Sequence, residues 1–500
     1  MPDEPVRDDA AGLRAANARL RALLAVRDSE IAVLRGHLEE LTGLQAEAGE
    51  LRERAAGLEA QVADLAARLG QNSQNSSRPP SSDGLAKPAP KSLRGKSGRK
   101  PGRPKGQPGV TMQFSGRPDA VVRHEPPCCA GCAAGLAGAP EAGVVRRQVT
   151  EIPEARAVVT EHQMIGLRCG CGTVTWADAP SGVSAPVQYG PRAAAIAAYL
   201  WHGQFLSRAR AGQAMGDLFG IAPSPGSIAA MTRRIAAAAA PAAEAARRAL
   251  AGGEVAHFDE TGFRVAGRLA WVHSASSGKY VLVTVHAKRG KDGMDAAGVL
   301  PGFAGIACHD AWAPYDCYQD LAGHALCNAH VLRELTAVTE TGTGKDVTWA
   351  RQAIDALLAL KNAADTARAE GRAAISAEVL DEHSRWFREA ASAGIALNAG
   401  RRTALQKKRH ALASRMGARE ADYLRFARDL RVPFDNNEAE RVIRMSKLRI
   451  KVSGCMRSMK GAQVFCAIRT YLATAARHGI GWLDALTRAA AGTPWIPETG

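Results

Sequence analysis

The sequence predicts a multidomain chain: an N-terminal coiled coil, a small cysteine-rich zinc-ribbon-like unit, a helical unit, and an α/β core carrying a helical insertion. Three observations predict it. Residues 13–69 repeat in heptads, two cysteine knuckles sit near residues 129 and 171, and from Val255 the apolar pattern changes to short strands. With 500 residues, 46% of them hydrophobic, the chain can bury several cores, which excludes a small cross-linked scaffold or a wholly disordered polymer. The net charge of +16 is concentrated. Residues 71–110 hold nine basic residues against one acidic, and 401–460 hold seventeen against six, so the remainder is slightly acidic. Two basic segments on a near-neutral body suit a polyanion such as nucleic acid, although solubility alone also produces a high pI. No run of about 18 apolar residues occurs, and MPDEPVRDDA lacks a basic start followed by an apolar stretch. Neither membrane insertion nor secretion is expected, and the chain reads as cytoplasmic.

In the first element (10–70), Leu20, Leu34 and Leu41 share one seam position, with Asn17, Leu24, Ile31 and Leu38 at its partner. After Gly43 the phase advances three residues, a stammer, and Leu44, Leu51, Leu58 and Leu65 continue beside Ala48, Ala55, Val62 and Leu69. Such a seam calls for a partner helix, most simply a second copy of the chain, or a hairpin folding back at Gly43. Residues 71–110 are rich in Pro, Gly, Ser and Lys/Arg and read as a disordered linker. Within it Gly98-Arg99-Lys100-Pro101-Gly102-Arg103-Pro104 resembles an AT-hook core, in which Arg99 and Arg103 would enter a narrow minor groove. A solvated basic tether has the same composition.

The next unit (111–180) carries Cys128-Cys129-Ala-Gly-Cys132 and, after thirty-six intervening residues, Cys169-Gly-Cys171. Four thiolates, Cys129, Cys132, Cys169 and Cys171, would suit a structural tetrahedral Zn²⁺, with Cys128 a spare. VVRRQVTEI and AVVTEHQMIGLRC alternate like two strands that would bring the knuckles together. The second knuckle has one intervening residue rather than two, and a metal-free set of buried thiols is the alternative. Residues 187–250 are Ala-rich and helical, broken at FGIAPSPGS, where Ser224 can cap and Pro225 can open a helix bearing Arg233 and Arg234. That arrangement fits a helix-turn-helix or an ordinary helical connector.

The last large unit (251–475) begins VAHFDE, LAWVHSAS, YVLVTVHA, then a helical stretch around Met294–Leu300, then GIACHDAW. Three strands in a meander and a crossover into a fourth are the start of a ribonuclease H-like α/β fold. Asp259 is expected to close the first strand and Asp310 the fourth, where both can share a divalent cation; either could instead be a turn residue. After a helical insertion (about 345–430) comes VPFDNNEAERVIRMSKLRIKVSG, in which Asp435 or Asn436 can cap a helix with Glu438 or Glu440 early in it. Glu440 shares a face with Arg444 and Lys447, and Arg441, Arg444, Lys447, Arg449 and Lys451 can neutralise phosphates. His330 and Glu334 have the spacing to pair on a helix near the carboxylates, and Cys327 with His330 has the look of half a metal site. Residues 476–500 are left as a C-terminal tail.

HFDETGF, the HDAWAPY segment, HALCNAHVLREL and DNNEAERVIRM occur in the order seen in the insertion-sequence-sixty-six family of bacterial DDE transposases, which this chain resembles over most of its length. QNSQNSSRPPSSD, the basic linker and the knuckles also look like that family's N-terminal half. The resemblance implies Asp259, Asp310 and Glu440 as the catalytic triad, because the family's acidic residue directly precedes Arg; Glu438 falls where the motif is open. It implies two Mg²⁺ ions per active site, cleavage of DNA at element ends and joining of the 3′-hydroxyl to target DNA. Arg333 joins the DNA-contacting set, and a nucleoid location, homo-oligomers and accessory proteins encoded by the element are expected partners. The chain departs from the pattern after Asp310, where Ala-Trp replaces the Gly-Tyr of many relatives. An inactive DNA-binding regulator, or a nuclease that cuts without joining, would carry the same basic segments.

Overall fold

The computed structural model describes residues 10–72, 75, 112–342 and 344–498. The expectations for Arg99 and Arg103 therefore lie outside the described residues. Helix α1 (Ala10–Leu69) runs unbroken for 60 residues through Gly43, with no residue buried. A single glycine costs a helix about 1 kcal/mol, too little to break a segment rich in Ala, Leu, Arg and Glu. The hairpin alternative is thereby removed.

Between Met112 and Gln188 the ordered pairing is small: β1 (Gly166–Arg168) and β2 (Val174–Trp176) form an antiparallel hairpin. This corrects the expectation of two strands bringing the knuckles together: VVRRQVTEI forms none, and only Gly166–Arg168 of AVVTEHQMIGLRC pairs. Val149, Ile152 and Val158 are 85–90% exposed, so the alternation of these segments has no apolar surface to bury against within the chain.

The helical unit comprises α2 (Pro191–Ala198), a π-helical turn (Tyr199–Gly203), α3 (Arg208–Phe219), α4 (Pro225–Ala238) and α5 (Ala240–Ala251). Its boundaries follow local chemistry. Ser207 and Ser224 accept from the backbone N–H groups of Arg210 and Ser227, Pro225 occupies the first position of α4, and Gly220 ends α3 at φ 71°.

The core is a five-stranded mixed sheet. Strands β3 (Val255–Val265), β4 (Arg268–Ser276) and β5 (Val281–His286) form an antiparallel meander. A crossover through α6 (Lys291–Ala296) and a 3₁₀ turn at Leu300–Gly302 leads to β6 (Ile306–His309), parallel to β3, and then to β7 (Gly323–Leu326), parallel to β6. The spatial order is β5-β4-β3-β6-β7. The crossover helix thus starts and ends earlier than Met294–Leu300, because Pro301 confines the continuation to a tight turn.

Helix α7 (Asn328–Thr341) follows β7. The insertion is α8 (Lys345–Ala369), α9 (Ala377–Leu397), α10 (Ala404–Ala418) and two short helices, α11 (Glu420–Tyr423) and α12 (Arg425–Arg428). They bury Trp349, Leu357, Phe387 and Phe426 together with Ile306, Leu326 and Leu335 of β6, β7 and α7, so the insertion extends the core. Helix α13 (Asn437–Ser453) covers part of β3 and β4, and α14 (Met459–Arg477) lies along β5. A last helix, α15 (Trp482–Ala490), corrects the tail: its Ala485, Leu486 and Ala489 are buried against α2 and α4 in one cluster with Ile468 and Leu472 of α14. The chain's C-terminal helices thereby complete the core of the unit before the sheet.

Candidate active site

Strand alternation sorts the HFDETGF segment between the two faces of the sheet. Phe258 packs with Phe303 and Tyr315 on one face, whereas Phe263 packs with Met456 and Phe465 on the other. Asp259 therefore shares the α13 side with His257, and Glu260 points the opposite way. Asp259 stands in the middle of β3 rather than at its end, a correction. Its antiparallel pairing with Ser274 continues, while the parallel ladder to β6 stops at His257–Cys308. Asp310 directly follows β6, and its charge reaches Asp259.

Glu440 lies in the first turn of α13, near the positive end of the helix. The helix is held by Asn436, whose side chain does not cap it, contrary to expectation. Its Nδ2 donates to the carbonyl of Phe258 at 2.8 Å, its Oδ1 meets His257 Nδ1 at 2.8 Å, and its backbone N–H donates to Cys327 Sγ at 3.2 Å. Asp435 instead accepts from the N–H of Asn437. One asparagine thus ties the start of α13 to the strand carrying Asp259 and to the start of α7.

Burial first, and then the charges of Glu260, Asp310 and Glu440, push the Asp259 carboxyl well above the usual carboxylate range. Glu440 approaches two α7 side chains, His330 Nε2 at 3.6 Å and Arg333 Nη2 at 3.7 Å. Burial and then the Arg333 charge hold His330 below its ordinary value, so its ring is neutral near pH 7. His330 and Glu334 do not pair; Glu334 turns to α10, where both its oxygens accept from Arg415 Nη2 at 2.8 Å.

Behind Asp310 is a network that sequence reasoning missed. Glu260, 8% exposed, accepts from Tyr315 Oη at 2.8 Å and from Arg289 Nε and Nη2 at 3.0 and 2.8 Å. The Arg289 guanidinium lies between the rings of Trp271 and Trp312, at 5.0 and 3.9 Å from their centroids. Tyr315 also stacks on His309, whose Nδ1 contacts the Asp310 carbonyl. The loop bearing Asp310 is therefore braced from both sides. The HDAWAPY block held the signal for Tyr315, and nothing local marked Arg289.

Among the described residues, one group of three or more His, Cys, Asp or Glu has its ligand atoms all within 4.8 Å of one another: Cys327, His330 and Glu440. Burial pushes the Cys327 thiol up to about 12, and its sulfur already accepts from Asn436, so it is a poor ligand. Asp259, Asp310 and Glu440 do not meet that distance as a threesome, and they sense one another at longer range. Nor do the knuckle cysteines. Cys129 is hydrogen-bonded to Cys132, which lowers its thiol, and Cys171, bonded to Thr173, is lowered to about 7; the two knuckles remain separate pairs.

Of the basic residues expected to contact nucleic acid, Arg233, Arg234, Arg441, Arg444 and Lys451 are exposed and Lys447 is half-buried. Arg449 differs, at 6% exposed. Nine residues at 100° each put it on the opposite face of α13 from Glu440.

A family of unknown function (DUF6444) matches residues 5–113. No curated protein matches the chain. The family described as "Transposase IS66 family" matches residues 186–464, more than half of the chain and the whole of the carboxylate site. By that match, the chain belongs to the IS66 family of transposases.

Proposed function

We propose that the chain is a DDE transposase with a ribonuclease H-like core, cutting DNA at element ends and joining the freed 3′-hydroxyl to target DNA. The observation that carries this reading is the gathering of three carboxylates from β3, the end of β6 and α13, with the start of α13 tied to β3 by Asn436 and the charges of Asp310 and Glu440 reaching Asp259. Hard oxygen donors gathered in this way fit Mg²⁺, and Asp259, Asp310 and Glu440 would hold two ions. When bound, the ions supply Lewis-acid activation of the attacking oxygen and stabilisation of the leaving one. The mixed sheet, with its meander followed by parallel strands, supports the ribonuclease H-like assignment.

The remaining work belongs to side chains. Neutral His330 and Arg333 orient Glu440, and Arg441, Arg444, Lys447 and Lys451 neutralise backbone phosphates along the duplex. Asn436 and the Glu260–Tyr315–Arg289 network fix the separation of the carboxylates. The lowered thiols of Cys129 and Cys171 support a structural Zn²⁺ on Cys129, Cys132, Cys169 and Cys171, which requires the knuckles to close on the ion. The unpartnered seam of α1 supports self-association.

The test is strand cleavage on a labelled duplex carrying the element's own ends, with Mg²⁺ or EDTA, using the full chain and Asp310→Asn. Metal-dependent nicking followed by joining, lost in the variant, is the expected result. Tight binding with no cleavage under any divalent ion would instead favour a DNA-binding regulator.

A further inference from the structure

On the side of α13 away from Glu440, the structure carries a second concentrated charge. A cleft of about 550 Å³ is lined by Arg208, Arg233, Arg449, Arg457 and Lys460, with no Asp or Glu among its lining residues. Three helices open onto it by their first turns: Ser207–Ala209 of α3, Pro225 of α4, and Ser458–Gly461 of α14. Helix N-termini present unpaired N–H groups and a positive dipole end, so their convergence adds to the five cations.

Arg449 marks this as a built site. It is more than nine-tenths buried, yet its Nε has no partner; only Nη1 is engaged, donating to the Gly454 carbonyl at 2.5 Å. A buried guanidinium without a carboxylate is costly, and an anion in the cleft would relieve it. Arg208 is pre-positioned, its guanidinium over the Trp201 ring at 5.4 Å. The cleft is larger than a lone phosphate requires and lies between the helical unit and the loop after α13, so a run of sugar-phosphate fills it better than a free ion.

We propose that this cleft seats a phosphodiester segment of the DNA backbone, at a site separate from the carboxylates and about 14 Å from Glu440 along α13 at 1.5 Å per residue. This rests on the reading of the chain as acting on DNA. It would lock the duplex to the helical unit and to α13 at once, so the strand presented to the carboxylates is positioned by a contact outside them.

The test uses the full chain and fluorescence anisotropy on a labelled duplex with the element's ends, across salt concentrations. Arg457→Gln with Lys460→Gln removes two exposed cations and leaves buried Arg449 to hold the fold. The expected result is about tenfold weaker binding and a slope of log affinity against log salt shallower by about 2, one for each phosphate no longer neutralised. Arg385→Gln with Arg402→Gln, exposed and remote from the cleft, should leave both unchanged. Equal losses in the two pairs, or none in the first, would overturn the proposal. So would stabilisation of the protein by inorganic phosphate that the cleft variant abolishes without any change in DNA affinity, since that marks a free-anion site. Weakened binding in the cleft variant of a protein that never cleaves would uphold the cleft and sink the catalytic reading alone.

Discussion

At Asp259 the cost of assembling the site is concentrated, since its carboxyl is pushed up by burial and by three like charges. An acid whose folded value is raised weakens the folded state as pH climbs from the unfolded value through the folded one. Asp259→Asn removes that burden, so the metal-free variant should melt higher than the parent, by about 1–2 °C for each ~1 kcal/mol released. Added Mg²⁺ should raise the melting temperature of the parent and not of the variant, and a variant that melts lower in EDTA would refute the charge argument. His202 works in the other direction. Burial first, then Arg449 and Arg469, hold its ring down to about 3, and both ring nitrogens lack partners beside Trp201 and Phe465. A histidine with a depressed value stabilises fully above its unfolded value and loses that stability as pH falls. His202→Phe should therefore make the loss of stability below about pH 6.5 shallower by up to ~1.4 kcal/mol per pH unit, read from denaturant unfolding at several pH values. An unchanged slope would show that His202 takes up its proton freely. Residue identity alone revealed neither environment, because both are set by what packs around the side chain.

At the scale of elements, the outer edge of β5 shows how the sheet ends. Thr470 and Thr474 of α14, each 1% exposed, accept from the N–H groups of Val283 and Val281 at 2.9 and 3.2 Å and donate to the carbonyls of the same residues at 3.3 and 3.0 Å. Two threonines four residues apart thus close a strand edge that would otherwise template aggregation. Thr470→Val keeps the shape and strands two backbone groups, so it should cost about 1–3 kcal/mol, and the double variant with Thr474→Val should also aggregate on refolding. Wild-type stability in the double variant would deny the pairing any role. The meander β3–β5 was legible because strand-forming residues run over six or more positions, and β6, only four residues long, because Asp310 follows it in a distinctive string. The four residues of β7 were not legible, being too short to show a period. The cap expected of Asn436 failed for a related reason: the preference of Asn for helix starts is local, and tertiary bonds to Phe258 and His257 outcompete it.

Across the whole molecule, the sequence order of parts does not match their packing. Helices before the sheet share a core with α14 and α15 after it, so the site is built within a body whose two ends interlock. Pairing of that kind is long-range and left no mark on the 476–500 segment beyond its apolar residues. The opposite holds for α1, where heptads make the helix plain from sequence and the structure leaves its seam bare: Leu24, Leu51, Leu58 and Leu65 are 53–60% exposed along a helix with nothing buried. Fully covering one leucine contributes up to about 1.5–3 kcal/mol, and the seam repeats such positions along its length, which offsets the entropy of association. We propose that self-association through α1 covers this stripe. Leu51→Glu with Leu58→Glu, placed at one seam position after the stammer, should convert a parent that elutes as an oligomer in light-scattering chromatography into a monomer and reduce its helical circular dichroism. The body, which shares no core residue with α1, should keep its melting transition. A parent that is monomeric at micromolar concentration would remove the coiled coil from the assembly, and an oligomer that survives the double substitution would place the contact between copies on the body instead.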